Sequence, residues 1–247
     1  MTDADKIHLS VVIPTLDKVE TARFLAARVR ELLPSLSVEA VIVTPCRTES
    51  DASDSMTHYV RDAGRGVYAA YTQGLQIARG EYVWFMGDDD YPLEGIRTLS
   101  HLIRDAAADL LVAPVIFSNG RLFRQTRSRF LLHFLNWCQQ GVIYRRAALA
   151  RHRFYRRLTV QADQYVNILL RSDPGVTCVF AKTPVCVFGV EGVSSRVRDR
   201  GYRSLRSALA HRTLGNGEFL LFRLLTKLEP LVKRWFAIWL VRRGAVK

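Results

Sequence analysis

Three consecutive carboxylates, Asp88, Asp89 and Asp90, follow Gly87 where the apolar run YVWFM ends. Neighbouring like charges repel one another, and gathering them beside an apolar strand is unfavourable unless a cation neutralises them. A hard divalent ion suits such oxygen donors. Mg2+ or Mn2+ is usually held by one or two carboxylates together with substrate phosphates, so the acidic turn points to a nucleoside diphosphate bound through metal. A solvated turn is the plain alternative. Two further groups of charge stand out. Arg121, Arg124, Arg127 and Arg129 suit an anionic group or a solvated loop, and Asp163, near the start of a helical stretch, is placed as a favourable N-terminal charge. The four cysteines, Cys46, Cys138, Cys178 and Cys186, contain no C-x-x-C pair, which argues against a zinc site or a disulfide framework and suits a reducing cytoplasm.

The elements that must position these residues are legible in the apolar periodicity. HLSVVIPT reads as a buried strand stopped by Pro14, and VETARFLAARVRELL repeats apolar residues at helical spacing until Pro34. VEAVIVTP is a second strand, residues 66–79 a second helix and GEYVWFMG a third strand. LEGIRTLSHLIRDAAA then predicts another helix leading into the strand DLLVAPVIF. Alternation of this kind predicts an α/β fold with an open, mainly parallel sheet and helices on both faces. Ligands of such sheets sit beyond the carboxyl ends of the strands, so residues 15–17, 44–49 and 87–90 should converge on one cleft. Gly66, Ala70, Gly74 and Ala78 recur every four residues, giving the second helix a face of small side chains that allows close approach. From Asn119 the texture becomes Arg-rich, with short strands in GVIYRR and VTCVFAKTPVCVFGV and a helix near residues 161–171.

The 247 residues are 49% apolar and 24% charged, which excludes a disordered or low-complexity chain. The net charge of +13 is unevenly spread: residues 1–120 carry 11 Lys/Arg against 17 Asp/Glu, residues 121–247 carry 25 against 6. The basic half implies an anionic neighbour. No helix-turn-helix, RNP or KH signature accompanies it, and the acidic first half is unlike a nucleic-acid groove, so nucleic acid is not an expected partner. Met1–Lys6 is polar and no apolar run is long enough to span a bilayer, so any membrane contact is expected to be peripheral. The last stretch carries Leu221, Leu224, Leu225, Leu228, Leu231, Trp235, Ile238 and Trp239 on one side, with Pro230 breaking it into two helices. Seven basic residues and one acid lie between Phe219 and Lys247. Such basic amphipathic helices suit an anionic membrane surface, packing on their own domain, or a second copy of the chain.

Several segments in the right order resemble the family 2 glycosyltransferases, whose fold is the GT-A type. SVVIPTLDKVE is similar to their opening strand and donor loop, and RGVYAAYTQGLQIARGEYVWFMGDDDYP to their helix, apolar strand and acidic turn. NWCQQGVIYRRAAL resembles the H-Q-x-x-x-Y-R-R segment, VQADQYVNILLR the acidic segment that supplies the catalytic base, and FGVEGVSS the G-G-x-S stretch after it. The matches cover roughly residues 7–195. The resemblance implies a GT-A domain over 1–215, with a nucleotide-sugar half (1–117) and an acceptor half (118–215), followed by basic helices at 216–247. It also implies inverting transfer of a sugar from a nucleoside diphosphate sugar, a UDP-sugar first among them, to an acceptor hydroxyl. In these terms Asp163 is the catalytic base. Pro14, Thr15, Asp17, Arg65 and Asp88 face the nucleotide sugar, Asp89 and Asp90 hold Mn2+ or Mg2+, and Gln140, Tyr144 and Arg145 lie on the acceptor side. The expected acceptor is a lipid-linked glycan of a bacterial surface polysaccharide, such as lipopolysaccharide, at the inner face of the cytoplasmic membrane.

Departures from the pattern accompany the matches. Gly87 stands at the first acid of the family's Asp-x-Asp-Asp turn, and TPCRTESD replaces an Asp-rich segment, leaving Glu49 or Asp51 as substitutes. Ala69 and Thr72 stand where Asp and Asn are common. Arg65 matches the basic position before the helix, and Asp17 serves equally as a cap for the helix after it. A catalytically weakened scaffold is the alternative these departures suggest. A sugar nucleotidyltransferase would need a Gly-rich phosphate loop after the first strand, and VIPTLDKVE has none.

Overall fold

A computed structural model describes residues 6–45, 55–152, 154, 157–189, 199 and 201–228. The chain divides into two compact units, residues 1–200 and 201–247. The helix Tyr202–Thr213 belongs to the second unit.

The first unit is built on a seven-stranded sheet. Its strands are β1 (Leu9–Pro14), β2 (Val38–Thr44), β3 (Thr57–Arg61), β4 (Tyr82–Phe85), β6 (Leu110–Val112), β9 (Val142–Arg145) and β10 (Cys178–Phe180), in the order β10-β6-β9-β4-β1-β2-β3. All neighbours run parallel except β9, which is antiparallel to both β4 and β6. β3, absent from the sequence reading, adds a parallel edge strand. A smaller sheet joins β5 (Tyr91–Pro92), β11 (Cys186–Phe188), β7 (Val115–Phe117) and β8 (Leu122–Phe123). The run DLLVAPVIF, expected as one strand, is thus divided: Pro114 cannot donate to a ladder, and the chain passes from the large sheet to the small one there.

Strand alternation sorts the central residues to two faces. Leu9, Val11, Ile13, Ala40, Ile42, Tyr82 and Trp84 form one buried cluster with α1 (Val19–Leu32) through Ala22, Leu25, Ala26 and Val29. The intervening residues meet α2 (Val67–Ile77) on the other face. There a Cβ at Gly74 would collide with Val12 and crowd Val43, so the expected small-residue face is what seats α2 on the sheet. Tyr71 of α2 packs on Phe85, which in turn meets Tyr144 edge-on. The helix predicted after the acidic turn is a 3-10 segment, Glu94–Leu99, continued by the short α3 (Ser100–Arg104). The remaining helices are α4 (Arg129–Leu132), α5 (Arg146–Arg151) and α6 (Ala162–Ser172).

A buried ionic knot closes the end of the sheet remote from the acidic turn. Glu39, fully buried, accepts from Ser10 Oγ at 2.6 Å, Arg79 N at 2.5 Å and Arg79 Nε at 2.9 Å. Burial would raise its pKa, but these donors outweigh it and hold the carboxyl below its ordinary value.

In the second unit α7 (Tyr202–Thr213) is followed by a helix whose described part is 216–228. Phe222 is buried, stacked on Phe219 with Arg206 over its ring. The expected break at Pro230 and the aromatic face of Trp235, Phe236 and Trp239 lie outside the described residues, as do Glu49 and Asp51. Among the described residues no helix is long and apolar enough to cross a membrane.

Candidate active site

The carboxyl ends of β1 and β4 meet as expected. Thr15, the residue after β1, donates its hydroxyl to Asp88 Oδ2 at 2.6 Å and accepts from Lys18 N at 2.9 Å, tying the donor loop to the acidic turn and to the start of α1. Lys18 Nζ stands 4.0 Å from Asp88. Lys18 itself is the cap residue of α1, with no side-chain capping bond, so Asp17 does not cap the helix and its carboxylate is exposed beside the loop. Pro14 closes β1 opposite Val43.

The three acids of the turn occupy different environments. Asp90 is buried, and its oxygens accept from Gly87 N at 2.5 Å and Gly189 N at 3.3 Å, with Gln140 as a further partner. Burial raises its pKa to about 7, with the charge of Asp89 adding to the rise. Asp89 is exposed, and partial desolvation followed by repulsion from Asp88 shifts it upward too. Gly87 and Gly189 shape its cradle: a Cβ on Gly189 would run into the Asp89 carboxylate, and one on Gly87 would lie 2.6 Å from Asp89 Oδ1. Asp90 therefore braces the turn from beneath, while Asp88 is half-buried and Asp89 exposed.

The donor chemistry of this turn fits a hard divalent cation completed by phosphate oxygens. Among the described residues no group of three or more His, Cys, Asp or Glu forms a cage by itself. In place of the expected pair Asp89 and Asp90, Asp89 and Asp88 are the residues that would hold the ion, because Asp90 is buried and its oxygens are taken by the Gly87 and Gly189 amides.

Asp163 lies in the first turn of α6 and is buried at 6% exposure. Its Oδ2 accepts from Asn136 Nδ2 at 2.7 Å and its Oδ1 from Gln164 N at 2.8 Å. The Tyr68 hydroxyl, 2.8 Å from the Val160 carbonyl oxygen, also hydrogen-bonds Asp163. Burial is the larger effect and raises the Asp163 pKa to about 6 despite these donors. Tyr71 and Cys138 each feel the charges of both Asp90 and Asp163, and burial pushes both of their own pKa values up, so the acidic turn and Asp163 share one electrostatic neighbourhood. Sequence reasoning missed Asn136, Tyr68, Tyr71 and Gly189. Asn136 adjoins the recognisable W-C-Q-Q segment, but nothing in the sequence says that its amide turns toward a carboxylate 27 positions away.

The acceptor-side residues separate. Gln140, expected on the acceptor side, lies beside Asp90. Tyr144 is wholly buried, its hydroxyl 2.7 Å from Asn167 Oδ1 and 3.1 Å from Gln139 Oε1, so it supports α6 from below rather than facing an acceptor. Arg145 is a correction. Because β9 runs antiparallel to β4, Arg145 pairs with Tyr82 at the far end of the sheet from the acidic turn, bound to Glu81 at 2.9 Å. Arg65 is exposed after β3 and rims a cavity of about 370 Å3 beside α2, lined also by Tyr68, Thr72, Gln73, Phe154 and Thr159.

The family model for glycosyl transferase family 2 matches residues 10–159, well over half of the chain. The chain belongs to that family. It is 29% identical over 152 residues to the PGL/p-HBAD biosynthesis glycosyltransferases of Mycobacterium bovis and Mycobacterium tuberculosis, a stretch of 58% of this chain and 58% of theirs. The chain thus matches a little over half the length of those relatives. Among solved structures, S. aureus TarS 1-349 in complex with UDP superposes with a TM-score of 0.62 at 18% identity, covering 85% of this chain and 68% of that one. The mannosyltransferase PcManGT from Pyrobaculum calidifontis, in complex with GDP-Man and Mn2+, gives 0.53 at 16% identity over 85% and 66%. At such identities the likeness is one of fold, and it establishes a GT-A-like architecture for this chain.

Proposed function

We propose that the protein transfers a sugar, with inversion, from a UDP-sugar to a hydroxyl of a lipid-linked glycan during assembly of a bacterial surface glycan. The observation that carries this reading is Asp163: a buried carboxylate, oriented by Asn136 and Tyr68, in the same electrostatic neighbourhood as an acidic turn suited to a diphosphate-bound cation. Support for the donor class comes from TarS, whose structures include complexes with UDP and UDP-GlcNAc, and from PcManGT with GDP-Man. The mycobacterial relatives, named as PGL/p-HBAD biosynthesis glycosyltransferases, support a part in bacterial glycan biosynthesis. The basic surplus of residues 121–247 and the amphipathic C-terminal stretch support work at the inner face of the cytoplasmic membrane.

The chain's residues then divide the chemistry. Thr15 and Asp88 hold the donor loop against the turn, and Lys18 places a positive charge at the diphosphate side. Asp89 and Asp88 would hold a Mn2+ or Mg2+ ion, which would supply charge stabilisation to the departing diphosphate. Asp163, ionised at neutral pH, accepts the proton of the acceptor hydroxyl as it attacks the anomeric carbon, and the C–O bond to the diphosphate breaks as the new glycosidic bond forms. Its hydrogen bonds leave lone pairs on each oxygen for that proton.

A thermal-shift panel of UDP, GDP, CDP and TDP with and without Mn2+ tests the reading. Ligand at a hundred times its dissociation constant stabilises by about 2.7 kcal/mol. Metal-dependent stabilisation by UDP that is lost in Asp89→Ala but kept in Asp163→Asn, which abolishes transfer, is the expected pattern. No response to any nucleotide would overturn the reading in favour of a degenerate scaffold.

A further inference from the structure

Between Asp109 and Asp163 the chain contains no Asp or Glu and ten arginines. Within that stretch, residues 126–137 form a loop with a closed neck: Trp137 Nε1 donates to the Thr126 carbonyl at 2.8 Å, and Cys138 N to Gln125 Oε1 at 3.0 Å. Ser128 caps α4 inside it, accepting from Leu131 N at 3.2 Å. The inner side of the loop is fastened to the catalytic half of the site. Leu132 and Trp137 are buried, Gln164 of α6 donates to the Leu132 carbonyl at 3.0 Å, and Asn136 holds Asp163.

The outer side is different. Leu131 and Leu135, one helical turn apart, are 43% and 55% exposed, and Arg124, Arg127 and Arg129 beside them in the chain are exposed as well. Arg127 lies over the Phe180 ring, and the ion pairs among the described residues use neither Arg124 nor Arg129. Exposed leucines flanked by arginines on a segment free of acid are complementary to one kind of surface, a layer of anionic headgroups above an apolar interior. A free phosphate would use the arginines but leave the leucines in water.

We infer that the outer side of loop 126–137, with Arg124 at its neck, docks on an anionic lipid surface and so brings the bilayer to the residue next to Asn136 and its partner Asp163. The inference deepens the membrane part of the proposed function and rests on that part alone, not on the donor or the metal. Docking here would hold a membrane-embedded acceptor at the catalytic base.

Sedimentation of the full chain with phosphatidylglycerol-containing vesicles, against vesicles of phosphatidylcholine only, tests it. At about 1 kcal/mol per basic residue near the surface, Arg124→Gln with Arg129→Gln should weaken binding about 30-fold. Leu131→Ser with Leu135→Ser should weaken it about tenfold by removing apolar area from the lipid boundary. Melting temperature and UDP binding of both double variants should match the parent. If both bind anionic vesicles as the parent does, the loop inference is overturned while the membrane reading stands on the tail. If the parent itself fails to sediment with anionic vesicles, both are overturned. Equal binding of the parent to neutral vesicles also overturns it, because the arginines then contribute nothing. Should the leucine pair fail to fold, the exposed arginine pair decides.

Discussion

Replacing Asn136 with Leu should move the pH at which the proposed sugar transfer switches on, without abolishing it. The Asn136 amide donates to Asp163 at 2.7 Å, and the other side-chain atom of Asn136, its Oδ1, is buried without a partner among the described residues. A near-isosteric Leu therefore removes one charge-assisted bond and strands nothing else on its own side. Such a bond is worth about 1.5–3 kcal/mol, and one pKa unit corresponds to about 1.4 kcal/mol, so the shift should be about one to two units. Starting from about 6, the Asp163 pKa should rise toward the 7–8 range. At pH 7 the ionised fraction would then fall from about nine-tenths to about a quarter, roughly a fourfold loss of kcat/KM, recovered by pH 9. The assay is sugar transfer at saturating metal across pH 5–9.5, comparing the acidic limbs of kcat/KM. Tyr68→Phe should shift the limb in the same direction but less, because the Tyr68 proton is shared with the Val160 carbonyl. An acidic limb that stays near 6 in Asn136→Leu, or a loss equal at every pH, would refute the assignment of Asp163 as base tuned by Asn136.

Other perturbations read other parts of the structure. Glu39→Gln should lower stability by about 3 kcal/mol in chemical denaturation, because it breaks a buried carboxylate network that locks Arg79 and Gly80 onto β1 and β2. Since the folded pKa of Glu39 lies below its ordinary value, its contribution is present above about pH 4.5 and is lost as pH falls through the folded value, so the variant's acid limb should be shallower. Gly189→Ala should weaken Mn2+-dependent nucleotide binding tenfold or more, measured by titration calorimetry, because the added Cβ displaces the Asp89 carboxylate; binding equal to the parent would contradict the proposed cradle. For metal-free protein, burial raises the folded pKa of Asp163 from 3.8 to about 6, so the folded state holds the proton more tightly and stability falls as pH rises through that window. Asp163→Asn should flatten this slope by up to about 3 kcal/mol in denaturation between pH 4 and 7, and an unchanged slope would contradict the burial-driven shift.

The elements of the first half were readable because each carries its own local signature. Leu9–Pro14, Val38–Thr44 and Tyr82–Phe85 are short apolar runs ended by Pro, Thr or an acidic turn, and α1 and α2 repeat apolar or small residues at helical spacing. The family segments placed Thr15, Asp88 and Asp89 at strand ends because, in a parallel sheet, chain order fixes which end of each strand carries the loop. The edge strand β3 was not readable, since Thr57–Arg61 is a half-buried, largely polar strand with no apolar run. Nor was the break at Pro114, where a continuous apolar run serves two sheets.

By itself, then, the sequence determined the fold family and the acidic turn and singled out Asp163, the one buried acid of the second half among the described residues, because those depend on local pattern and chain order. Only the tertiary structure decided what each residue faces. Antiparallel β9 carries Arg145 away from the cleft, two backbone amides draw Asp90 beneath the turn, and packing of loop 126–137 on α6 brings Asn136 to Asp163. Side-chain direction and burial, and with them the pKa of a carboxylate, follow from contacts between segments far apart in the chain, and no local pattern encodes those contacts.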